Sequence, residues 1–139
     1  MPLEWHDDYS TSEELVDSHH QRLFDFVNNL EYILKDETDE TLDSERMGRL
    51  LEFLEDYVHM HFEYEEDCMF RHQCPIGQKN IEAHEKFLNF FAEFKETYQT
   101  QGSSVELFEK LHTTIANWIT SHIMKIDTHL NNCIQSRNG

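Results

Sequence analysis

Glycine and proline are scarce in this chain, which has four glycines and two prolines among 139 residues. Because these two residues interrupt regular backbone structure, their scarcity predicts few breaks and therefore long helices. A chain of 139 residues can build one domain with a real core but is too short for two. We therefore expect a single domain over residues 1–139.

Cysteine is also rare, and the three present, Cys68, Cys74 and Cys133, are odd in number. None of them forms a C-x-x-C pair with another, which argues against a disulfide framework and against a thiolate zinc site. The simpler interpretation is three unpaired thiols in a reducing compartment.

Basic side chains are few, with 11 against 28 acidic ones and a formal charge of -17. Such a surface repels nucleic acid and anionic membranes, so neither is an expected partner. No apolar run approaches the roughly 18 residues that a membrane span needs, and no secretory leader pattern opens the chain. We expect a soluble cytoplasmic domain whose acidic residues mostly cover outer helix faces.

Apolar residues recur at helical spacing along most of the chain, as Leu15, Leu23 and Val27 do in the first stretch. Thr11 or Ser12 is available to cap that stretch, and a serine precedes the last one. Short polar connectors between the stretches predict an all-α fold, an up-down-up-down four-helix bundle. The expected elements are an aromatic-bearing N-terminal arm at 1–10 and helices at about 11–35, 41–71, 78–100 and 104–132.

Imidazole and carboxylate side chains fall on the inward stripes of these helices. His61 and Glu65 lie four residues apart, so on a helix they point at the same neighbour. A buried carboxylate without a partner costs on the order of several kcal/mol, so inward carboxylates need cations. Two divalent ions would supply them. The inward candidates are His20, His61, Glu65, His84, His122 and Asp127.

The other histidines are weaker candidates, because a lone histidine is more often a core or surface polar group than a ligand. His59 lies two residues from His61 and should face away from the same point. Whether His19 points inward stays open. Histidines that their positions place near ends or on outer faces are His6, His72, His112 and His129.

Three motifs in order resemble those of hemerythrins, specifically of bacterial hemerythrin-like domains. Trp5 stands in the arm, Asp17–Phe24 matches Asp-x-x-His-x-x-Leu-Phe, and His61–Met69 matches His-Phe-x-x-Glu-Glu-x-x-Met. Trp118–Asp127 matches Trp-x-x-x-His-x-x-x-x-Asp. Asp127 is five positions after His122, so an ideal α-helix turns it about 140° away from the face that carries His122. The assignment of Asp127 therefore rests on the resemblance.

The resemblance implies a non-haem di-iron centre: two iron ions, Fe2+ or Fe3+, with a bridging oxo or hydroxo group. Glu65 and Asp127 resemble the bridging carboxylates. His20 and His61 resemble the ligands of the iron that binds O2, and His84 and His122 resemble ligands of the other iron. The expected partner is O2 or another small diatomic molecule or anion, and no catalytic residue or enzymatic activity is expected of this domain alone.

One position departs from the family pattern, because Asn80 stands where the family usually has a histidine. The iron of His84 and His122 should then lack a third imidazole, and either the Asn80 amide oxygen or a water or hydroxide takes the place. We therefore expect an O2 or redox sensor, the input module of a signalling protein such as a cyclic-dinucleotide synthase. Open alternatives are an O2 carrier or store, a di-iron oxidase or peroxidase, an iron buffer, and a metal-free bundle.

Overall fold

Four long helices dominate the computed structural model, which describes residues 2–138, with side chains through residue 134. They pack as α1 against α2 and α4, and as α3 against α2 and α4. The part of the chain described contains no strand, so the predicted all-α bundle is confirmed. The elements are α1 (Glu14–Leu34), α2 (Ser44–Arg71), α3 (Gly77–Gln101), α4 (Val105–His122), a π-helical segment (Ile123–Asp127) and α5 (His129–Asn138).

The N-terminal arm lies along α1 and includes one short 3-10 turn, Asp7–Tyr9. Asn28 fixes the arm by accepting a hydrogen bond from the Leu3 N–H at 2.7 Å and donating one to the Leu3 carbonyl at 2.9 Å. The Trp5 ring packs edge-on against Phe24, with centroids 5.6 Å apart. The arm is therefore held on α1 by direct contacts at Asn28 and Phe24.

The start of α1 differs from the prediction of Thr11 or Ser12 as the cap. The cap is Glu13, whose carboxylate accepts a hydrogen bond from the Val16 N–H at 3.0 Å. Ser12 has a φ of +66° and so cannot begin a right-handed helix. The Thr11 hydroxyl donates instead to the Asp17 carboxylate at 2.8 Å, one turn into the helix. Helix α1 therefore starts three residues later than predicted, at Glu14.

Side-chain caps set the starts of α2 and α4. Helix α2 begins at Ser44 rather than near 41, because the Asp43 carboxylate caps it by accepting from the N–H groups of Glu45 and Arg46. The serine cap of α4 is Ser104, which accepts from the Leu107 N–H at 3.1 Å. Within residues 2–138 no helix combines the length and apolar composition that crossing a membrane requires.

The buried apolar residues form two separate clusters. The main apolar cluster fills most of the bundle and draws on all four long helices, from Leu23 in α1 to Ile123 after α4. Leu15, predicted to face the core, is 52% exposed, because its neighbour Val16 occupies the inward position at 0%. The small apolar cluster consists of Val16, Cys68, Met69, Cys74 and Leu130. Polar side chains lie between these two clusters.

A disulfide joins Cys74, between α2 and α3, to Cys133 in α5, with Cα atoms 5.6 Å apart. The expectation of three unpaired thiols was therefore wrong for two of them. Cys68 alone is a free thiol, and it is buried. The two paired residues are 59 positions apart in sequence, so only the docking of α5 against the α2–α3 corner brings them together.

Candidate metal centre

Seven buried polar side chains lie in one layer between the main and the small apolar cluster. On α1, for example, His20 falls between Val16 of the small cluster and Leu23 of the main one. Each of the seven is at most 6% exposed, so water has little access to their donor atoms. They are His20, His61, Glu65, Asn80, His84, His122 and Asp127.

The first group of donor atoms comes from α1, α2 and the π-helical segment. His20 Nε2 lies 3.1 Å from Glu65 Oε2 and 3.0 Å from Asp127 Oδ2. His61 Nε2 lies 3.5 Å from the same Glu65 oxygen. One donor atom from each of these four residues lies within 4.8 Å of all the others, which is a spacing that one metal ion can bridge.

The second group uses the opposite oxygens of the same two carboxylates. Glu65 Oε1 lies 3.2 Å from His84 Nε2 and 4.0 Å from His122 Nε2. Asp127 Oδ1 lies 3.0 Å from His122 Nε2. These four residues again offer donor atoms within 4.8 Å of one another. Glu65 and Asp127 are thus shared between the two groups, with one oxygen facing each.

The π-helical segment explains how Asp127 reaches the group despite its five-residue distance from His122. The Thr128 N–H donates to the Ile123 carbonyl at 3.0 Å, a bond from residue i+5 to residue i. A π-helical turn takes up one residue more than an α-helical turn, so residues five apart come onto the same face. Asp127 and His122 therefore point into one layer, as His61 and Glu65 do at their four-residue spacing on α2.

Asn80 faces the second group rather than solvent. Its Oδ1 lies 2.9 Å from His122 Nε2, and the residue is 0% exposed. Its Nδ2 has no hydrogen-bond partner among the side chains and backbone described. A neutral oxygen donor thus lies at the edge of the second group, which has two imidazoles, as the first group does.

Neighbouring side chains hold the imidazole rings in place, and sequence reasoning had given these neighbours no role. The His84 Nδ1 is 2.8 Å from the Glu66 carboxylate, and the Phe62 ring stacks on the His84 ring with centroids 3.7 Å apart. Trp118 lies one helical turn before His122, and its ring stacks on the His122 ring with centroids 4.4 Å apart. The residues stand in the motifs that carry the family resemblance. The four-residue spacing of Trp118 and His122 was an available signal, whereas Glu66 and Phe62 contact His84 from a different helix.

His19, whose orientation the sequence left open, reaches the layer from its edge. Its Nδ1 lies 3.0 Å from the Nδ1 of His61, on the side of that ring away from the carboxylates. Of the histidines treated as outside the site, His59 is exposed and lies outside both groups. The same is true of His6 and His129, and the half-buried His72 and His112 also lie outside the groups.

The pKa values of groups in the layer are shifted because two carboxylates, Glu65 and Asp127, are buried beside the histidines. Burial lowers the pKa of His20, but hydrogen bonds and charge interactions with Asp127 and Glu65 outweigh it and raise the pKa to about 10. Burial raises the pKa of Asp127, yet the attraction of His122 and the hydrogen bonds from both histidines leave it well below its usual range. The raised pKa of His20 has the same physical cause that favours a bound cation, the negative charge of Asp127 and Glu65.

The arrangement fits metal ions on its own chemistry. Glu65 Oε1, His84 Nε2 and Asp127 Oδ1 are buried and have no well-aligned hydrogen-bond partner among the described residues. Such atoms are costly to bury unless they bind something. Imidazole nitrogens and carboxylate oxygens without thiolates suit divalent first-row transition ions. The layer therefore has the composition and the geometry to hold two cations that share both carboxylates.

The fold and the site together define a class of protein: a helical bundle that holds two neighbouring groups of histidine nitrogens and carboxylate oxygens, each able to bind a cation. A family model described as the hemerythrin HHE cation binding domain matches residues 11–134. The chain therefore belongs to the hemerythrin family, and the resemblance that its motifs predict is confirmed.

Curated relatives extend over most of the chain. A bacteriohemerythrin of Stenotrophomonas maltophilia is 24% identical over 121 residues, which cover 87% of this chain and 74% of that protein. One from Methylococcus capsulatus is 25% identical over 129 residues, or 93% of either chain. The crystal structure of a wild-type hemerythrin superposes with a TM-score of 0.81 at 24% identity, covering 96% of this chain and 98% of that one. This structural likeness supports the fold.

Proposed function

We propose that this domain binds two iron ions in the polar layer and senses O2 or cellular redox state by switching between diferrous and diferric forms. The observation that carries the proposal is the sharing of Glu65 and Asp127, each with one oxygen toward either pair of histidines. His20 and His61 would hold one ion, and His84 and His122 the other. When bound, the irons supply a reversible one-electron change at each ion and an open position for a small ligand.

Iron is the proposed metal because of both the donor set and the family. The layer offers four imidazoles and two carboxylates. The free cysteine of the chain, Cys68, lies in the small apolar cluster and not in the layer. Histidine and carboxylate donors with an open position are typical of non-haem iron. The matched relatives are named bacteriohemerythrins, which supports iron over other cations.

The chain's own residues control access to the layer. His20, His61, Glu65 and Asp127 are at most 2% exposed, so bulk water and large reductants are kept out. His122 is 6% exposed and lines a surface groove of about 410 Å³ together with Trp118 and Lys125. We propose this groove as the route for a diatomic molecule or small anion, because it ends at a site imidazole, His122.

Sensing is preferred to O2 transport because of Asn80. A neutral amide oxygen, 2.9 Å from His122 Nε2, stands where family members usually have another imidazole. An amide is a weaker donor to iron than an imidazole, so the ion beside it should keep a replaceable position and oxidise quickly in air. A carrier requires the opposite behaviour, slow oxidation. A sensor could then transmit the change to an output domain or partner, which we propose to be a signalling protein.

Rapid mixing of the anaerobically reduced protein with air-saturated buffer tests this proposal. We expect the visible spectrum to pass to that of a stable oxidised form within seconds to minutes, without return when O2 is removed. A spectrum that lasts for many minutes and reverts under argon would instead establish an O2 carrier. Steady consumption of peroxide with an added reductant would establish an oxidase or peroxidase, which the presence of only two carboxylates in the layer disfavours.

A further inference from the structure

His19 contacts a site imidazole from outside the layer. Its Nδ1 lies 3.0 Å from His61 Nδ1, and the two rings are perpendicular, at 90°, with centroids 5.1 Å apart. The edges of two tyrosines fix the half-buried His19 ring, Tyr57 with centroids at 5.9 Å and Tyr64 at 5.3 Å. His19 is therefore held in one orientation, with one nitrogen directed at His61.

Only one proton can lie between two Nδ1 atoms that are hydrogen-bonded to each other. A metal ion takes the bare Nε2 of His61, which faces Glu65 Oε2 at 3.5 Å, so the proton of the His61 ring must sit on Nδ1. His19 must then accept a hydrogen bond from this N–H at its own Nδ1 and carry its own proton on Nε2.

Resting on the proposed function, we infer that His19 is the positioning residue of His61: it selects the His61 tautomer whose Nε2 can bind the ion between His20 and His61. A partner on the far ring nitrogen commonly orients a metal-binding histidine, and its removal weakens metal affinity by about 10–100-fold. His19 lies next to His20 in sequence, so one turn of α1 supplies both a direct donor and a supporting group.

The hydrogen-bond partner of the histidine Nδ1 atom differs between the two ion positions. His84 Nδ1 faces the Glu66 carboxylate at 2.8 Å, whereas His61 Nδ1 faces a neutral imidazole and His20 Nδ1 has no partner among the residues described. A carboxylate partner makes an imidazole a stronger donor than a neutral partner does. The ion between His20 and His61 is therefore the one held more weakly, and the one most dependent on a single neighbour.

Two substitutions separate hydrogen bonding from packing at this position. His19→Phe keeps a ring against Tyr57 and Tyr64 but removes the acceptor. His19→Asn places an amide oxygen where Nδ1 stands and can restore the hydrogen bond. His59→Phe, an exposed change on α2, is the matched control. The measurement is the rate at which a chelator removes each of the two irons from the reduced, iron-loaded protein. Circular dichroism of each variant checks that it is folded.

We expect two phases of iron release from the wild-type chain, with about tenfold or greater acceleration of the faster phase in His19→Phe. His19→Asn should return that phase to within about threefold of wild type, and His59→Phe should leave both phases unchanged. Equal release from wild type and His19→Phe, or from His19→Asn and His19→Phe, overturns the inference. A wild-type chain without two ions contradicts the proposed function itself, so the two failures are distinguishable.

Nitrogen NMR of the histidines in the zinc-loaded wild-type chain tests the same inference without a variant, which matters if His19→Phe fails to fold. We expect a proton on Nδ1 of His61 and on Nε2 of His19. A proton on Nδ1 of His19 would overturn the assignment, because that nitrogen could then not accept.

Discussion

At the scale of single residues, Glu65 is the most consequential side chain, because its two oxygens face different pairs of histidines. Glu65→Gln preserves its size and removes its negative charge. We expect the variant to lose both irons rather than one, since each ion position depends on a shared oxygen. Glu63→Gln is the matched control, since Glu63 lies exposed on the same helix. Metal analysis showing one iron retained in Glu65→Gln would contradict the shared arrangement.

Asn80→His tests the role assigned to the amide beside His122. The change supplies the imidazole that the family usually has, so we expect iron to be retained more firmly and oxidation in air to slow by about tenfold or more. The control, Lys79→His, adds an imidazole on the exposed neighbouring position. Rapid-mixing absorption measurements follow both variants. An oxidation rate unchanged from wild type would mean that Asn80 does not act at the metal.

Individual residues also show what the sequence could and could not predict of the site. His61 and Glu65 follow from helical spacing alone, because four residues make about one α-helical turn. The hydrogen bond between His61 and His19 does not, because it depends on the packing of α1 against α2. The cap of α1 was also missed, since Glu13 takes the role that serine or threonine more often fills.

At the scale of helices, the π-helical segment is the element that the sequence could not predict. Spacing on an ideal α-helix turns Asp127 away from His122, and only the widened turn closed by the Thr128 N–H brings it back. Apolar periodicity does not reveal the extra residue, because Ile119 and Ile123, which precede the widened turn, keep the ordinary four-residue spacing and are both buried. The predicted helix over 104–132 thus proved to be α4, a π-helical segment and α5.

The disulfide between Cys74 and Cys133 ties α5 to the corner between α2 and α3. Closing a loop of this length restricts the unfolded chain, so reduction should cost about 2–4 kcal/mol of stability and lower the melting temperature by about 5–15 °C. Thermal unfolding with and without dithiothreitol measures this shift. Cys68→Ser, which leaves the pair intact, should show the same shift. A melting temperature that is the same with and without the reductant would contradict the disulfide and indicate unpaired thiols.

At the scale of the whole molecule, a charged layer separates two apolar clusters inside a chain of formal charge -17. Cations bound in this layer would offset the two buried carboxylates and would stabilise the folded state by a free energy that grows with the logarithm of their affinity. We expect a strong chelator to lower the melting temperature by several degrees. In the Glu65→Gln variant the same chelator should have little effect. Equal melting temperatures of the wild-type chain with and without chelator would indicate that the layer is stable without metal.

The most direct test of a di-iron switch is the iron content per chain, measured together with the visible spectrum after anaerobic reduction and again after admitting air. The account predicts two irons per chain, a nearly colourless reduced form, and charge-transfer bands that develop in air and settle to a stable oxidised spectrum. An iron-free chain, or a spectrum that does not change between reduction and air, would contradict it.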